Sequence, residues 1–191
     1  MARRVKGILF VDYVRIVRAH PGAASSPYLE PADLPFLEQE IDLAAWYPMT
    51  VFERLGLAIL DMIAARDLEL VRKWGRTSVA RVTAGVEGLV AAGDPRESLM
   101  RFQIFRRAFF DFDALSMLQV NDTSADTQID YGMSPAAEEA AAVQTQGFFE
   151  GLIELAGGSL VESGFLATSW RGDPRTVLRL EWTLGRKAGA A

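Results

Sequence analysis

The spacing of apolar residues changes character near residue 115, and that change constrains the fold more than any single motif. Upstream, apolar residues recur three and four apart. One set is Leu9, Tyr13, Ile16 and Val17; a second is Val51, Phe52, Leu55, Ile59, Leu60 and Ile63; a third is Val71, Trp74, Val79 and Val82. Spacing of this kind gathers side chains on one face of an α-helix. Downstream, the short runs Leu115 to Val120 and Thr127 to Tyr131 flank Asn121-Asp122-Thr123-Ser124, which predicts a hairpin. Two more strands are expected over Leu160 to Trp170 and Val177 to Thr183, joined by Arg171-Gly172-Asp173-Pro174. Helices first, then hairpins around one long helix, is an α+β order rather than an alternating one. The expected architecture is a helical N-terminal two-thirds packed on a small antiparallel β-sheet.

Local signals set the expected boundaries. The β-branched content of the first segment admits a short strand before its helix, and Pro21 to Pro27 reads as a loop. Pro31 to Ile41 reads as a short acidic helix, after which Pro48 punctuates the chain and Thr50 can cap or begin the next helix. A further helix is expected from Leu68 to about Val86. Gly75 in its middle costs roughly 1 kcal/mol relative to alanine, which points to close packing there. The strongest local signal is Asp94-Pro95-Arg96-Glu97: an acceptor for orphan N–H groups, a proline suited to the first turn and a glutamate that can reach back. That helix is expected to reach about Phe110. Ser134-Pro135 opens the longest helix and Gly157-Gly158 closes it. The chain is read as one domain over 1–185, with 186–191 a flexible tail.

Composition removes whole classes of function. Half of the 191 residues are apolar and 24% are charged, so the chain folds around a core. Its most apolar stretch, Leu55 to Leu60, ends at Asp61, far short of the ~20 residues a bilayer needs, so membrane insertion is not expected. The run Ile8 to Val11 behind Arg3, Arg4 and Lys6 is interrupted by Asp12 and Arg15, too early for a secretory signal, and the expected location is the cytoplasm. Without cysteine there is no disulfide, thiolate or cysteine-held metal. A net charge of −5 gives no footprint for nucleic acid. The basic groups Arg3/Arg4/Lys6 and Arg186/Lys187 read as mobile solubilising ends.

Catalytic constellations are missing as well. His20 is the only histidine and precedes Pro21-Gly22, where a helix end suits it as a C-terminal cap. Glu38/Glu40/Asp42, Asp111/Asp113, Glu138/Glu139 and Glu150/Glu154 lack calcium-loop spacing and read as solvated faces. Gly85 to Gly88 and Gly147 to Gly151 lack the lysine and preceding strand of a phosphate loop. Ser25 and Ser26 lack a nucleophile-elbow context. No enzymatic activity, metal or cofactor is expected. The conspicuous feature is an aromatic helix in which Phe102, Phe105 and Phe109 share a stripe, Phe110 and Phe112 point elsewhere, and Arg101, Arg106 and Arg107 are interleaved. Core packing accounts for the stripe; a pocket or an interface accounts for a helix apolar on more than one side. The candidate pocket or interface residues are Phe102, Phe105, Phe109, Phe110, Arg106, Arg107, Phe148 and Trp170.

The block QTQGFFEGLIELAGGSLVESGFLATSWRGDPRTVLRLEW, Gln144 to Trp182, resembles the end of the 4-vinyl-reductase domains. These share a fold superfamily with haem–nitric-oxide-binding domains and TRAPP vesicle-tethering subunits. Gly147, Gly151, Glu162 and the Gly172-Asp173 turn carry the match. The cysteines that commonly flank that turn are replaced, with Ser169 or Trp170 near one position and Thr176 or Val177 near the other. Over its full length the chain is similar to an uncharacterised paralogous family known mainly from myxobacteria, through Lys6-Gly7, WYPMTVFERLG at Trp46 to Gly56, WGR at Trp74 to Arg76 and the C-terminal block. The resemblance implies the ligand-binding fold of nitric-oxide signalling and Golgi transport proteins, an enclosed apolar pocket and a homodimer. Haem-binding relatives use a histidine on a core helix; His20 matches no such position, so haem is not implied. The expected function is a non-enzymatic regulatory or sensory module for a small apolar ligand. The alternative is a homodimeric protein-interaction module without one.

Overall fold

The computed structural model describes residues 2–184. Its order is β1 (Arg4–Lys6), α1 (Gly7–Ala19), α2 (Leu34–Glu38), β2 (Trp46–Pro48), α3 (Met49–Met62), α4 (Leu68–Ala84), α5 (Pro95–Phe105), β3 (Leu115–Val120), β4 (Ser124–Ile129), α6 (Pro135–Leu155), β5 (Gly158–Ala167) and β6 (Thr176–Leu184). The α+β expectation holds: α1 to α5 precede an antiparallel sheet of order β3-β4-β6-β5, α6 lies between its two hairpins in sequence, and the helices cover the sheet. The anticipated tail at 186–191 lies outside the described residues. Among the described residues no helix is long and apolar enough to cross a membrane.

Alternation makes the sheet one-sided. Leu178, Leu180 and Trp182 on β6, with Ala125, Thr127 and Ile129 on β4, are buried beneath the helices. Between them on the opposite face, Arg179 holds the Asp126 carboxylate through two bonds of 2.7 and 2.8 Å. That charged face stays in water, so the helices pack on one side only.

The two longest helices, α4 and α6, meet at glycines. A Cβ on Gly75 would run into the Gln144 carbonyl, and one on Gly147 into the Arg72 carbonyl. The close packing expected at Gly75 is therefore present, with backbone against backbone. Charged clamps flank the contact: Arg72 donates to the buried Glu150 at 2.6 and 2.9 Å, and Arg76 pairs with Glu154. Glu150 and Glu154 are thus helix-joining partners, not a solvated face.

Caps explain several boundaries. Asp94 accepts from the Glu97 N–H at 2.8 Å, as its motif predicts. Asp67 accepts from the N–H groups of Glu69 and Leu70 at the start of α4. Helix α3 begins at Met49 with Pro48 at the cap position, so Thr50 lies inside the first turn instead of capping it. His20 sits at the end of α1, its Nδ1 bonded to the Ile16 carbonyl at 2.9 Å. The Arg171 to Pro174 connection closes through Asp173, which accepts from the Thr168 N–H at 2.7 Å beside Gly172 at φ +101°.

Two expectations are corrected. Arg3, Arg4 and Lys6 are not a mobile end: β1 pairs with β2, Arg3 meets Asp130 at 3.2 Å and Arg4 meets Asp111 at 2.7 Å. The aromatic helix stops at Phe105, not Phe110, and continues as a tighter turn over Arg106–Ala108. The backbone beyond is held by β1 instead, because Lys6 N–H donates to the Phe109 carbonyl and Asp111 N–H to the Arg4 carbonyl. Phe109 therefore leaves the helical stripe and reaches the core by another route.

Candidate functional site

A cavity of about 90 Å³ lies among α1, α4, α5 and α6, with the partly exposed Asp12 and Arg81 among its lining. Seven of its lining side chains are aromatic: Tyr13, Phe52, Phe102, Phe109, Phe110, Tyr131 and Phe148. The rings brace one another. Phe102 lies 5.8 Å from Phe109 in a stacked arrangement and 5.6 Å from Phe148, while Phe110 lies 5.4 Å from Tyr131. Such contacts fix ring orientation and shape the cavity from rigid surfaces.

Polar side chains line part of the wall, and each makes a bond within the protein, with only the Gln144 Nε2 amide left over. Tyr13 of α1 donates to Oε1 of Gln144 on α6. Thr145 donates to the Ala141 carbonyl at 2.8 Å, which leaves its oxygen to accept from the Tyr131 hydroxyl at 2.6 Å. Ser78 donates to the Gly75 carbonyl at 2.7 Å. Asp12 and Arg81 form an ion pair between α1 and α4. Burial pushes the Asp12 carboxyl above its usual range against the opposing pull of Arg81. Burial likewise raises the phenols of Tyr13 and Tyr131, so both are protonated donors at neutral pH. With these pairs made, the aromatic rings dominate the wall.

Of the residues nominated from sequence, Phe102, Phe109, Phe110 and Phe148 line this cavity. Phe105 packs against the core outside it. Arg107 turns outward, whereas Arg106 is mostly buried and also donates to the Gln103 carbonyl at 2.5 Å; both reach Asp113, Arg107 at 3.5 Å and Arg106 at 3.2 Å. Trp170 is not on a strand: it lies in a short turn after β5, packs edge-on to Phe165 at 5.2 Å, and borders a separate cleft of about 310 Å³ with Asp130, Glu138 and Arg175. Sequence reasoning missed Asp12, Tyr13, Arg81, Tyr131, Gln144 and Thr145 as site residues. The legible signal was Gln144-Thr145-Gln146, a run of polar residues near the middle of α6.

No protein-family profile matches the chain, and no curated protein sequence matches it significantly. Solved structures do. A point mutant of the Fe(II) unliganded H-NOX protein from K. algicida is 15% identical with a TM-score of 0.64, covering 95% of this chain and 98% of the other. The fold is H-NOX-like. A triple mutant of the S. oneidensis H-NOX protein in the Fe(II) ligation state is 12% identical with a TM-score of 0.65, covering 97% of this chain and all of the other. The S. oneidensis protein in the Fe(II)NO ligation state is 11% identical with a TM-score of 0.61, covering 93% and 99%.

The residues of this chain do not fit the iron group of those H-NOX structures. None of the side chains lining the cavity is a histidine, cysteine or methionine. His20 is exposed at the end of α1 and bonded to its own helix. The two cavity tyrosines have raised pKa values, which disfavours the tyrosinate a metal would need. At about 90 Å³ the cavity is also well below the ~300–1,000 Å³ of sites for drug-sized ligands.

Proposed function

We propose that this chain is a non-enzymatic sensory or regulatory module that holds a small apolar molecule in the cavity among α1, α4, α5 and α6. The observation that carries the reading is a space walled by seven aromatic rings, where the Tyr13 and Tyr131 hydroxyls are already bonded to Gln144 and Thr145. Water in such a space lacks the two to four partners it requires, so an apolar occupant is favoured over it. The wall offers no nucleophile beside an activating base, in keeping with binding rather than turnover. The likeness of the C-terminal block to 4-vinyl-reductase domains, and of the whole chain to the myxobacterial family, belongs to the same reading. Xenon NMR tests it. A saturable shift is expected with the native chain and its loss with Ala141→Leu, which extends a side chain into the cavity; no saturable shift would overturn the reading.

A homodimer is the second reading. Met100 and Ile104 stand one helical turn apart on α5, 39% and 73% exposed, an apolar pair with no cover from the described residues. Light scattering at micromolar concentration decides it, since a monomeric mass rules the dimer out.

A further inference from the structure

A second, smaller cavity of about 40 Å³ lies beside the first, reaching toward Ile59, Val71 and Trp74. The two cavities share four lining residues: Tyr13, Phe52, Ala141 and Gln144. Tyr13 and Gln144 are joined by a side-chain hydrogen bond across 131 positions of sequence. The Phe52 ring lies 4.1 Å from that of Tyr13. Behind Tyr13, on α3, Gly56 leaves so little space that a Cβ there would come within 3.1 Å of the ring. The two cavities therefore meet at a shared wall of side chains, which the Tyr13–Gln144 hydrogen bond crosses.

That bond leaves a group over. Gln144 is only partly buried; it accepts the Tyr13 proton through Oε1, and its Nε2 makes no hydrogen bond to another described residue. A ligand with an acceptor at the partition gains two donors, the Tyr13 hydroxyl and the Gln144 amide, and replaces the bond it breaks. A purely apolar ligand of the same shape breaks that bond and returns nothing, and an unmade buried bond is costly.

We propose that the two cavities are chambers of one binding site, gated by the Tyr13–Gln144 hydrogen bond, and that its ligand class is small apolar carbonyl compounds whose oxygen takes over that bond. This rests on the proposed function and names the ligand class of the same cavity.

The test compares acetophenone with α-methylstyrene, its planar isostere without the oxygen, by NMR titration of the native chain and of Tyr13→Phe and Gln144→Leu. Acetophenone is expected to bind about tenfold more tightly than α-methylstyrene to the native chain, the scale of one net hydrogen bond. The preference should fall toward parity in both variants, because each keeps the bulk of the partition and loses its polar group. Equal affinities in the native chain, or a preference unchanged by both substitutions, overturns the gate while leaving the cavity reading intact if xenon binds. Absence of xenon, acetophenone and α-methylstyrene binding alike overturns both. Tyr13→Phe is nearly isosteric, so if Gln144→Leu fails to fold, Tyr13→Phe alone decides.

Discussion

Gly75 of α4 faces the carbonyl of Gln144 on α6, with no room between them for a single added carbon. The same crossing therefore fixes both the register of the two longest helices and the height at which Gln144 enters the cavity wall. Gly75→Ala or Gly147→Ala must push backbone from backbone, a strain no rotamer change relieves. Each should lower the stability of the chain by about 3 kcal/mol in urea denaturation. Gly164→Ala, on β5 with nothing within 4 Å of its Cβ, should be nearly neutral.

The buried pair Asp33–Arg54 should give a defined acid dependence. Asp33 is fully buried and accepts from Arg54 at 2.6 and 2.7 Å. Burial alone would raise its carboxyl; the Arg54 bonds and the Glu30 backbone N–H outweigh it, so its pKa lies below the ordinary 3.8. A depressed folded-state pKa gives stability that is present above the unfolded value and is lost as pH falls through the folded one. Asp33→Asn should therefore cost about 2 kcal/mol near neutral pH. That gap should close as pH drops below 3.8. Urea midpoints of both proteins across the acid range check this; a gap that stays constant contradicts it.

Asp173 should be structural. Its carboxylate closes the connection between β5 and β6 at the Thr168 N–H, far from the cavity lining. Asp173→Ala should lower stability by about 0.5–2 kcal/mol, as loss of a side-chain-to-backbone cap does. Ligand affinity measured well below the melting temperature should not change.

Arg106 and Arg107, prominent in the sequence, should prove dispensable for binding. Both reach Asp113, Arg106 from a mostly buried position and Arg107 from the surface, and neither lines the cavity. Arg107→Ala should leave xenon affinity unaltered, whereas Phe102→Ala, at a ring only 3% exposed, should cost about 3–5 kcal/mol of stability and enlarge the cavity.

Local chemistry was readable from the sequence, and contacts across the chain were not. The Asp94 cap, the Ser134-Pro135 helix start and the Gly172-Asp173 turn appear as expected because each is decided within four residues, while Glu97 pairs with Arg101 instead of reaching back. The end of α5 was misplaced because the residues after Phe105 keep an apolar pattern, while β1, about a hundred positions away, draws their backbone into bridging bonds. The aromatic half of the cavity wall was visible as unusual composition. Its polar half was not, because Asp12 meets Arg81, and Tyr13 meets Gln144, only once α1, α4 and α6 have packed.

A crystal structure under xenon pressure tests directly whether the aromatic-walled space is an apolar binding cavity. A xenon atom is expected between Phe102, Phe109 and Tyr131, displaced in Ala141→Leu. An ordered water there in place of xenon, or xenon bound only elsewhere, would contradict it.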